Sequence, residues 1–352
     1  MRSPDLLWPD ARAAVRDAAA SDPAAAATAT PMPWDRHQRA VALASVAMAV
    51  PERVVTNATV AEGAGVTEAW IVHRTGVHER RHAGDGERLQ QLAVTAGRRA
   101  LEEAHVAPED VDLVLVATVA ADELLPNAAP LVATELGATR AGAMDVGAAC
   151  TGFLSALDLA SAQIESGRRD NVLVIGAEVL SRFTDPADRG TSALFADGAG
   201  AALVTAAAEG QGSIGRIVLR ADGRGADSIR ASREEQIIHM QGHDTFKAAV
   251  LRMSEATLEA TRHAGVELDD VDLFVYHQAN ARILAAVGER LGLDDAKVVN
   301  SIDRFGNTSS ATLPIALADA RERGLLQPGM TVLLSAFGAG FTWGAGVIEW
   351  AA

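Results

Sequence analysis

Cysteine is nearly absent from this chain: Cys150 is the only one in 352 residues. That excludes an internal disulfide framework and any multi-cysteine metal site, and it fits a reducing, cytoplasmic setting. Positive charge is also in short supply. A formal charge of −15 argues against general affinity for nucleic acid or for an acidic membrane surface, while a local basic patch for an acidic partner stays open. No apolar run reaches the roughly 18 residues of a membrane helix. Neither a nucleic-acid nor a membrane partner is expected. What is present is a hydrophobic content of 49%, enough to bury a sizeable core. The length suits two ordinary domains or one large composite domain.

Residues 1–38 stand apart. They hold the alanine runs Ala18-Ala19-Ala20 and Ala24-Ala25-Ala26-Ala27, scattered prolines and no sustained hydrophobic period. A signal-peptide core is lacking, and Asp5, Asp10, Asp17 and Asp22 disfavour a transit peptide. This stretch is expected to be a disordered extension or an overextended start, with Met32 or Met48 as alternative starts, and to carry no chemistry.

The remainder is written twice. Glu109-Asp110-Val111-Asp112-Leu113-Val114-Leu115-Val116 resembles Asp269-Asp270-Val271-Asp272-Leu273-Phe274-Val275-Tyr276, 160 residues on. The pair Leu136-Gly137 matches Leu291-Gly292. The run from Val172 to Ala177 matches that from Val332 to Phe337. Each strand is continuously apolar, as in a sheet covered by helices on both faces. Two copies are too few for a solenoid, so an internal duplication into halves at 39–210 and 211–352 is expected, packed as α/β layers about a pseudo-twofold axis.

The lone cysteine lies in Asp145-Val146-Gly147-Ala148-Ala149-Cys150-Thr151-Gly152-Phe153, where a short strand turns into a helix. Taken alone, such a residue is most simply a small buried hydrophobe. At a helix N-terminus, however, unpaired N–H groups and the positive dipole end favour a thiolate, the form that acts as nucleophile. At an offset of 157, the matching place in the second half is Asn307. His277 ends the repeated strand. Pseudo-symmetry should bring helix starts and strand ends together, so cysteine, histidine and asparagine can converge.

From Ala42 to Trp350 the chain resembles the β-ketoacyl-acyl carrier protein synthase III family of thiolase-like condensing enzymes. The cysteine loop, His277-Gln278-Ala279-Asn280, Gly306-Asn307-Thr308-Ser309 and the close from Ala336 to Gly344 carry the likeness. So does the segment from Glu68 to Gly76. The resemblance implies a five-layer αβαβα sandwich, a homodimer, and a catalytic triad of Cys150, His277 and Asn307.

It also implies a two-stage reaction. Cys150 takes the acyl group from an acyl-CoA, with the backbone N–H groups of Cys150 and Ala339 as oxyanion hole. Malonyl-acyl carrier protein then loses carbon dioxide, and His277 and Asn307 donate to the enolate that attacks the acyl-cysteine. The family usually has glycine where Ala339 stands, which would matter if the backbone there had positive φ. No resident cofactor or metal is implied, because the coenzyme A and phosphopantetheine thioesters are substrates.

The same likeness assigns Trp70, Arg74, Arg189, Gly242 and Asn280 to coenzyme A. Helix burial for Trp70, and surface ion pairs for the two arginines, are the simpler alternatives. Lys247, Arg282 and Arg290 would form the patch for the acyl carrier protein, although Glu289 beside Arg290 departs from the usual lysines and a scattered solvated surface competes. Phe337 and Leu125 would shape the acyl pocket. Leu125 replaces a phenylalanine of acetyl-selective members that reaches across the dimer, so a longer or branched starter is expected. His243 replaces an asparagine near the pantetheine arm. A non-decarboxylating acyltransferase, with His277 as general base, is the alternative activity. A non-catalytic partner subunit fits an intact nucleophile least.

Overall fold

The computed structural model describes residues 39–207 and 212–351; the expected extension over residues 1–38 lies outside them. The first half opens with β1 (Val41–Ala49). A small ribbon follows, β2 (Val54–Thr56) with β3 (Glu79–Arg81), holding α1 (Asn57–Ala64) and α2 (Glu68–Thr75) between its strands. Then come α3 (Leu89–Glu103), β4 (Leu113–Ala117), α4 (Ala128–Leu136) and β5 (Gly142–Val146). The half closes with α5 (Gly152–Glu165), β6 (Asn171–Val179) and β7 (Asp197–Ala206). Its sheet runs β1-β7-β6-β4-β5, with β4 parallel to both β5 and β6 and the other pairs antiparallel.

The second half repeats this order. It contains β8 (Ser213–Ile214), β9 (Val218–Ala221), a hairpin of β10 (Ile229–Ala231) with β11 (Ile238–Met240), and α6 (Gly242–Ala264). Next are β12 (Leu273–Tyr276), α7 (Ala281–Leu291), the short α8 (Ile302–Phe305), α9 (Thr312–Glu322), β13 (Thr331–Gly338) and β14 (Thr342–Glu349). Its sheet runs β12-β13-β14, and β8 and β9 share the far edge of β14. Where the first sheet has β5, the second has a single bridge from Phe274 to Val298.

Strand alternation shows the layers directly. On β4, Leu113 and Leu115 face a central core with Phe153 and Leu157, while Val114 and Val116 face Leu92, Ala96 and Val132. On β12, Leu273 and Val275 join the same central core with Leu313 and Leu317, while Phe274 and Tyr276 turn outward to Met253 and Leu284. The stack is therefore α3/α4, first sheet, α5/α9, second sheet, α6/α7: a five-layer αβαβα sandwich. Both faces of each sheet are covered, which is why its strands carry no polar alternation.

The duplication extends to single hydrogen bonds. The Asp112 N–H donates to the Asn171 carbonyl at 2.9 Å, and its carboxylate accepts the N–H of Asp170 and of Asn171. Asp272 repeats both roles with Thr331, each at 2.9 Å. The tight turns before α5 and α9 are single 3₁₀ turns, Ala149–Thr151 and Ser309–Ala311, and each begins with a left-handed residue, Ala149 at φ 45° and Ser309 at φ 49°. These turns correct the sequence alignment. The structural counterpart of Cys150 is Ser310, 160 residues on, and Asn307 matches Gly147 instead. A three-residue shift is invisible in short glycine- and alanine-rich turns, whereas a backbone with the same φ pins the register.

Among the described residues no helix is long and apolar enough to cross a membrane. The halves meet where Gly176 of β6 faces the second turn. A Cβ on Gly176 would lie 2.8 Å from the Ser310 carbonyl carbon and 3.0 Å from Ala311 Cα. Gly176→Ala is expected to destabilise the fold by about 1–3 kcal/mol through overpacking. Urea denaturation should show a lowered midpoint, and an unchanged midpoint would contradict the contact.

Candidate active site

One large cavity, ≈1520 Å³, opens from the surface to Cys150 and is lined by both halves. It exceeds the roughly 300–1,000 Å³ of an ordinary small-ligand pocket and suits a long substrate arm. Cys150, His277 and Asn307 all line it, so the structure brings together the three residues expected to converge.

Each reaches the cavity from a different element. Cys150 rides on the turn between β5 and α5, aimed by left-handed Ala149. The end of β13 passes close beside it: a Cβ on Gly338 would come within 2.8 Å of Cys150 N and 2.9 Å of its Cβ. Ser309 also lines the cavity, and its hydroxyl donates to the Glu178 carboxylate at 3.2 Å. Ala339 is not among the residues with positive φ, so alanine costs nothing there, and the positive φ of 140° falls on Gly340.

The thiolate expected from the helix start is not the resting state. Burial pushes the Cys150 thiol up to about 11, and the charge of Glu178 adds to the rise, while the Ser309 hydroxyl and the Ala339 and Cys150 peptides work against it. A helix terminus contributes about 0.3–1 kcal/mol, too little to offset desolvation in this site.

His277 follows β12 and is held by its N–H to the Ser335 carbonyl at 2.8 Å. Burial lowers its pKa to about 3, so the ring is neutral at neutral pH. Among the described residues its Nδ1 finds no hydrogen-bond partner. A buried ring N–H without an acceptor is costly, which places the proton on Nε2. Asn307 is oriented in the same sense. Its Oδ1 accepts the Ser309 N–H at 2.9 Å, which leaves the NH₂ group for the cavity. Its backbone is tied to the first half by Asn307 N–H to the Leu194 carbonyl and Ala196 N–H to the Asn307 carbonyl.

The mouth is basic on an acidic molecule. Two guanidinium groups lie over the Trp70 ring, Arg74 Cζ at 6.0 Å and Arg189 Cζ at 5.5 Å from its centroid. Gly242 opens α6 at the rim, beside exposed His243 and Lys247, and Arg282 lies 5.6 Å over Phe246. Asn280 lines the cavity too, but its side chain caps α7 through Arg282 N–H and ties to the Arg74 carbonyl at 3.0 Å. Arg290 is two turns further along α7, about 12 Å away, and does not line the cavity. Phe337 does, packed 4.8 Å from the Phe341 ring. Leu125 is 81% exposed and absent from the cavity of its own chain, where Leu124 takes part. Arg230 and Arg233, on the hairpin at the rim, were not anticipated; two arginines in a polar loop give no signal. Glu178 and Ser309 were also missed, although an acid inside the apolar run Val174-Ile175-Gly176-Ala177-Glu178-Val179 was a legible anomaly.

A duplicated αβαβα frame closing around one cysteine defines the thiolase-like acyltransferases. Family models narrow the class: one described as 3-oxoacyl-[acyl-carrier-protein] synthase III matches residues 144–223, and its C-terminal counterpart matches residues 261–350. The chain is 42% identical to a β-ketoacyl-[acyl-carrier-protein] synthase III of Bacillus pumilus, over 86% of its own length and 96% of that protein. Among solved structures, the 3-oxoacyl-[acyl-carrier-protein] synthase III of Aquifex aeolicus superposes with TM-score 0.86 at 39% identity, covering 88% of this chain and all of that one. The priming β-ketosynthase of the R1128 polyketide pathway gives TM-score 0.86 at 36% identity, covering 92% and 99%. The chain belongs to the β-ketoacyl-acyl carrier protein synthase III family.

The depressed histidine has a consequence for stability. Its folded-state pKa lies below the ordinary value, so unfolding takes up a proton as the pH falls from about 6.5 towards 3, and stability is lost across that window. His277→Gln removes the ring, and its stability difference between pH 7 and pH 5 is expected to shrink by about 2 kcal/mol. Denaturant melts of both proteins at the two pH values measure this.

Proposed function

We propose that this enzyme takes an acyl group from an acyl-CoA onto Cys150 and condenses it, with loss of carbon dioxide, onto malonyl-acyl carrier protein to start a fatty-acid or polyketide chain. The observation that carries this is the pair of neutral donors, His277 Nε2–H and the Asn307 amide, facing the cavity that holds Cys150. Neutral donors suit an enolate oxygen, whose charge they stabilise without competing for a proton. A ring held near 3 is a weak base, which disfavours the alternative in which His277 deprotonates a hydroxyl acceptor. The cysteine itself attacks the thioester, and the N–H groups of Cys150 and Ala339 receive the oxyanion.

Trp70 with Arg74 and Arg189 is suited to an adenine by stacking, and the basic rim, Arg230 and Arg233 included, to the phosphates of coenzyme A. Gly242 and Asn280 would border the pantetheine arm. Lys247 and Arg282 would meet the acidic carrier protein, with Arg290 at the margin. In this scheme no resident cofactor is needed, and the enzyme works in the cytoplasm as a homodimer. The exposed Val119, Leu124, Leu125 and Met144, on a loop and on the edge strand β5, supply an apolar dimer face. Leu125 would then enter the partner's acyl pocket, where its small side chain admits longer or branched starters beside Phe337.

Intact-protein mass spectrometry with a panel of acyl-CoAs, followed by malonyl-acyl carrier protein and carbon dioxide measurement, tests the scheme. Cys150→Ala is expected to abolish acylation. His277→Ala and Asn307→Ala should still acylate but lose about two to three orders of magnitude in carbon dioxide release. Acylation without carbon dioxide in the wild-type enzyme would overturn condensation. Leu125→Phe should shift the preference towards acetyl-CoA; a wild-type acetyl preference that excludes every longer starter would refute the larger pocket.

A further inference from the structure

Arg80 lies on β3 with none of its surface exposed, and the two-stage mechanism gives it no task. Among the described residues its acceptors are all neutral. Its Nη1 donates to the Asn57 Oδ1 at 2.8 Å and to the Val55 carbonyl at 3.4 Å, and its Nη2 donates to the Ala193 carbonyl at 3.0 Å. Asp197, buried in the same half, is taken up by the Ala83 N–H and by the N–H and hydroxyl of Ser181. Burial pulls the guanidinium down to about 10, so it is still a cation at neutral pH. A buried charge without a counter-charge is a costly way to fill space that an apolar side chain of similar volume could occupy.

The groups that this cation holds surround Asn307. Leu194 follows Ala193, and its carbonyl accepts the Asn307 N–H at 2.8 Å; two residues on, the Ala196 N–H donates to the Asn307 carbonyl at 3.0 Å. Both backbone bonds of Asn307 therefore run to one short segment, 194–196, whose entry is pinned by the guanidinium. The stem of Arg80 reaches the same place. A Cβ on Gly306, which has φ 64°, would meet the Leu194 carbonyl oxygen and Ala196 Cβ at 3.0 Å and Arg80 Cβ at 3.2 Å. Asn57 aims the guanidinium in turn, since its Nδ2 donates to the Val77 carbonyl at 2.8 Å.

We infer that Arg80 is a positioning residue for the condensation step: it fixes the segment that grips Asn307, and so the point at which the Asn307 amide meets the enolate oxygen. The inference deepens the condensing-enzyme proposal and rests on it. Acylation lies outside its reach. Cys150 rides on the turn after β5, and Arg80 makes no hydrogen bond to that turn. A lysine would keep the charge but lacks the planar fork that joins Asn57 to Ala193. Displacing a positioned group by about 1 Å costs about 100-fold in rate.

Arg80→Lys in the full-length protein is expected to acylate Cys150 within about threefold of wild type. Its carbon dioxide release from malonyl-acyl carrier protein should slow about 100-fold, in kcat with little change in KM. In an Asn307→Ala background the same substitution should add no more than about threefold, because the donor it positions is already gone. Equal slowing of both stages would overturn the role, as would an undiminished cost in the Asn307→Ala background, since either marks general structural damage. Asn57→Ala, which leaves Arg80 in place, should show the same split at about tenfold, and it decides the question if Arg80→Lys fails to fold. Hydrogen exchange without substrate, read by mass spectrometry, separates this inference from the condensation reading. Peptides covering residues 194–197 and 305–309 should exchange about tenfold faster in either variant, with the peptide around Cys150 unchanged. Unchanged exchange at 305–309 would overturn the inference whatever the assay shows. A wild-type enzyme that acylates without releasing carbon dioxide, with exchange still faster in the variants, would instead sink the condensation reading and keep the grip on Asn307.

Discussion

The close approach of two 3₁₀ turns, Ala149–Thr151 and Ser309–Ala311, governs the rest of the molecule. Each turn starts a helix of the central layer, and both helices are sealed between sheets in one apolar core. The approach is possible because Gly152 and Gly176 present no side chain where Ser310 and Ala311 pass. Strain at Ala149 and Ser309 is held in place by packing on both sides, since such conformations persist only where the surroundings over-determine them.

The site inherits its character from that contact. Because the turns lie deep between the sheets, groups on them are desolvated, and desolvation dominates each titration: it raises Cys150 and Glu178 and lowers His277. Cys150 and His277 therefore rest neutral at neutral pH, and Glu178 lies near the midpoint of its titration. A thiol and a neutral imidazole at rest suit a site in which charge appears only transiently. At the mouth the surroundings reverse: exposed arginines lie over the Trp70 ring and face solvent.

Much of the architecture was legible in particular residues. The unbroken apolar runs at Leu113–Ala117 and Leu273–Tyr276 announced strands covered on both faces, and Asp112 and Asp272 announced the repeat down to matching hydrogen bonds. Cys150, His277 and Asn307 stood out because each interrupts a turn or strand end with a reactive or donor side chain. Leu125, read as shaping an acyl pocket across a dimer, is exposed and outside the cavity of its own chain, so one chain's fold neither supports nor opposes that reading. Asn280, named for ligand contact, has both ends of its amide bonded within the protein, one to the Arg282 N–H two residues on and one to the distant Arg74 carbonyl; sequence alone cannot tell a capping asparagine from a binding one.

By itself the sequence determined which elements form and that they form twice, since periodicity and apolar runs are local properties that survive without neighbours. It also offered one candidate thiol nucleophile, because the chain has a single cysteine. Only the tertiary structure decided the register that pairs Cys150 with Ser310 rather than Asn307, because turn geometry depends on what packs against it. Only the tertiary structure decided the protonation states, because desolvation is a property of the enclosing layers and not of the residue. The placement of Glu178 beside Ser309 is of the same kind: residues 131 positions apart in the chain become partners when two sheets close over two short turns.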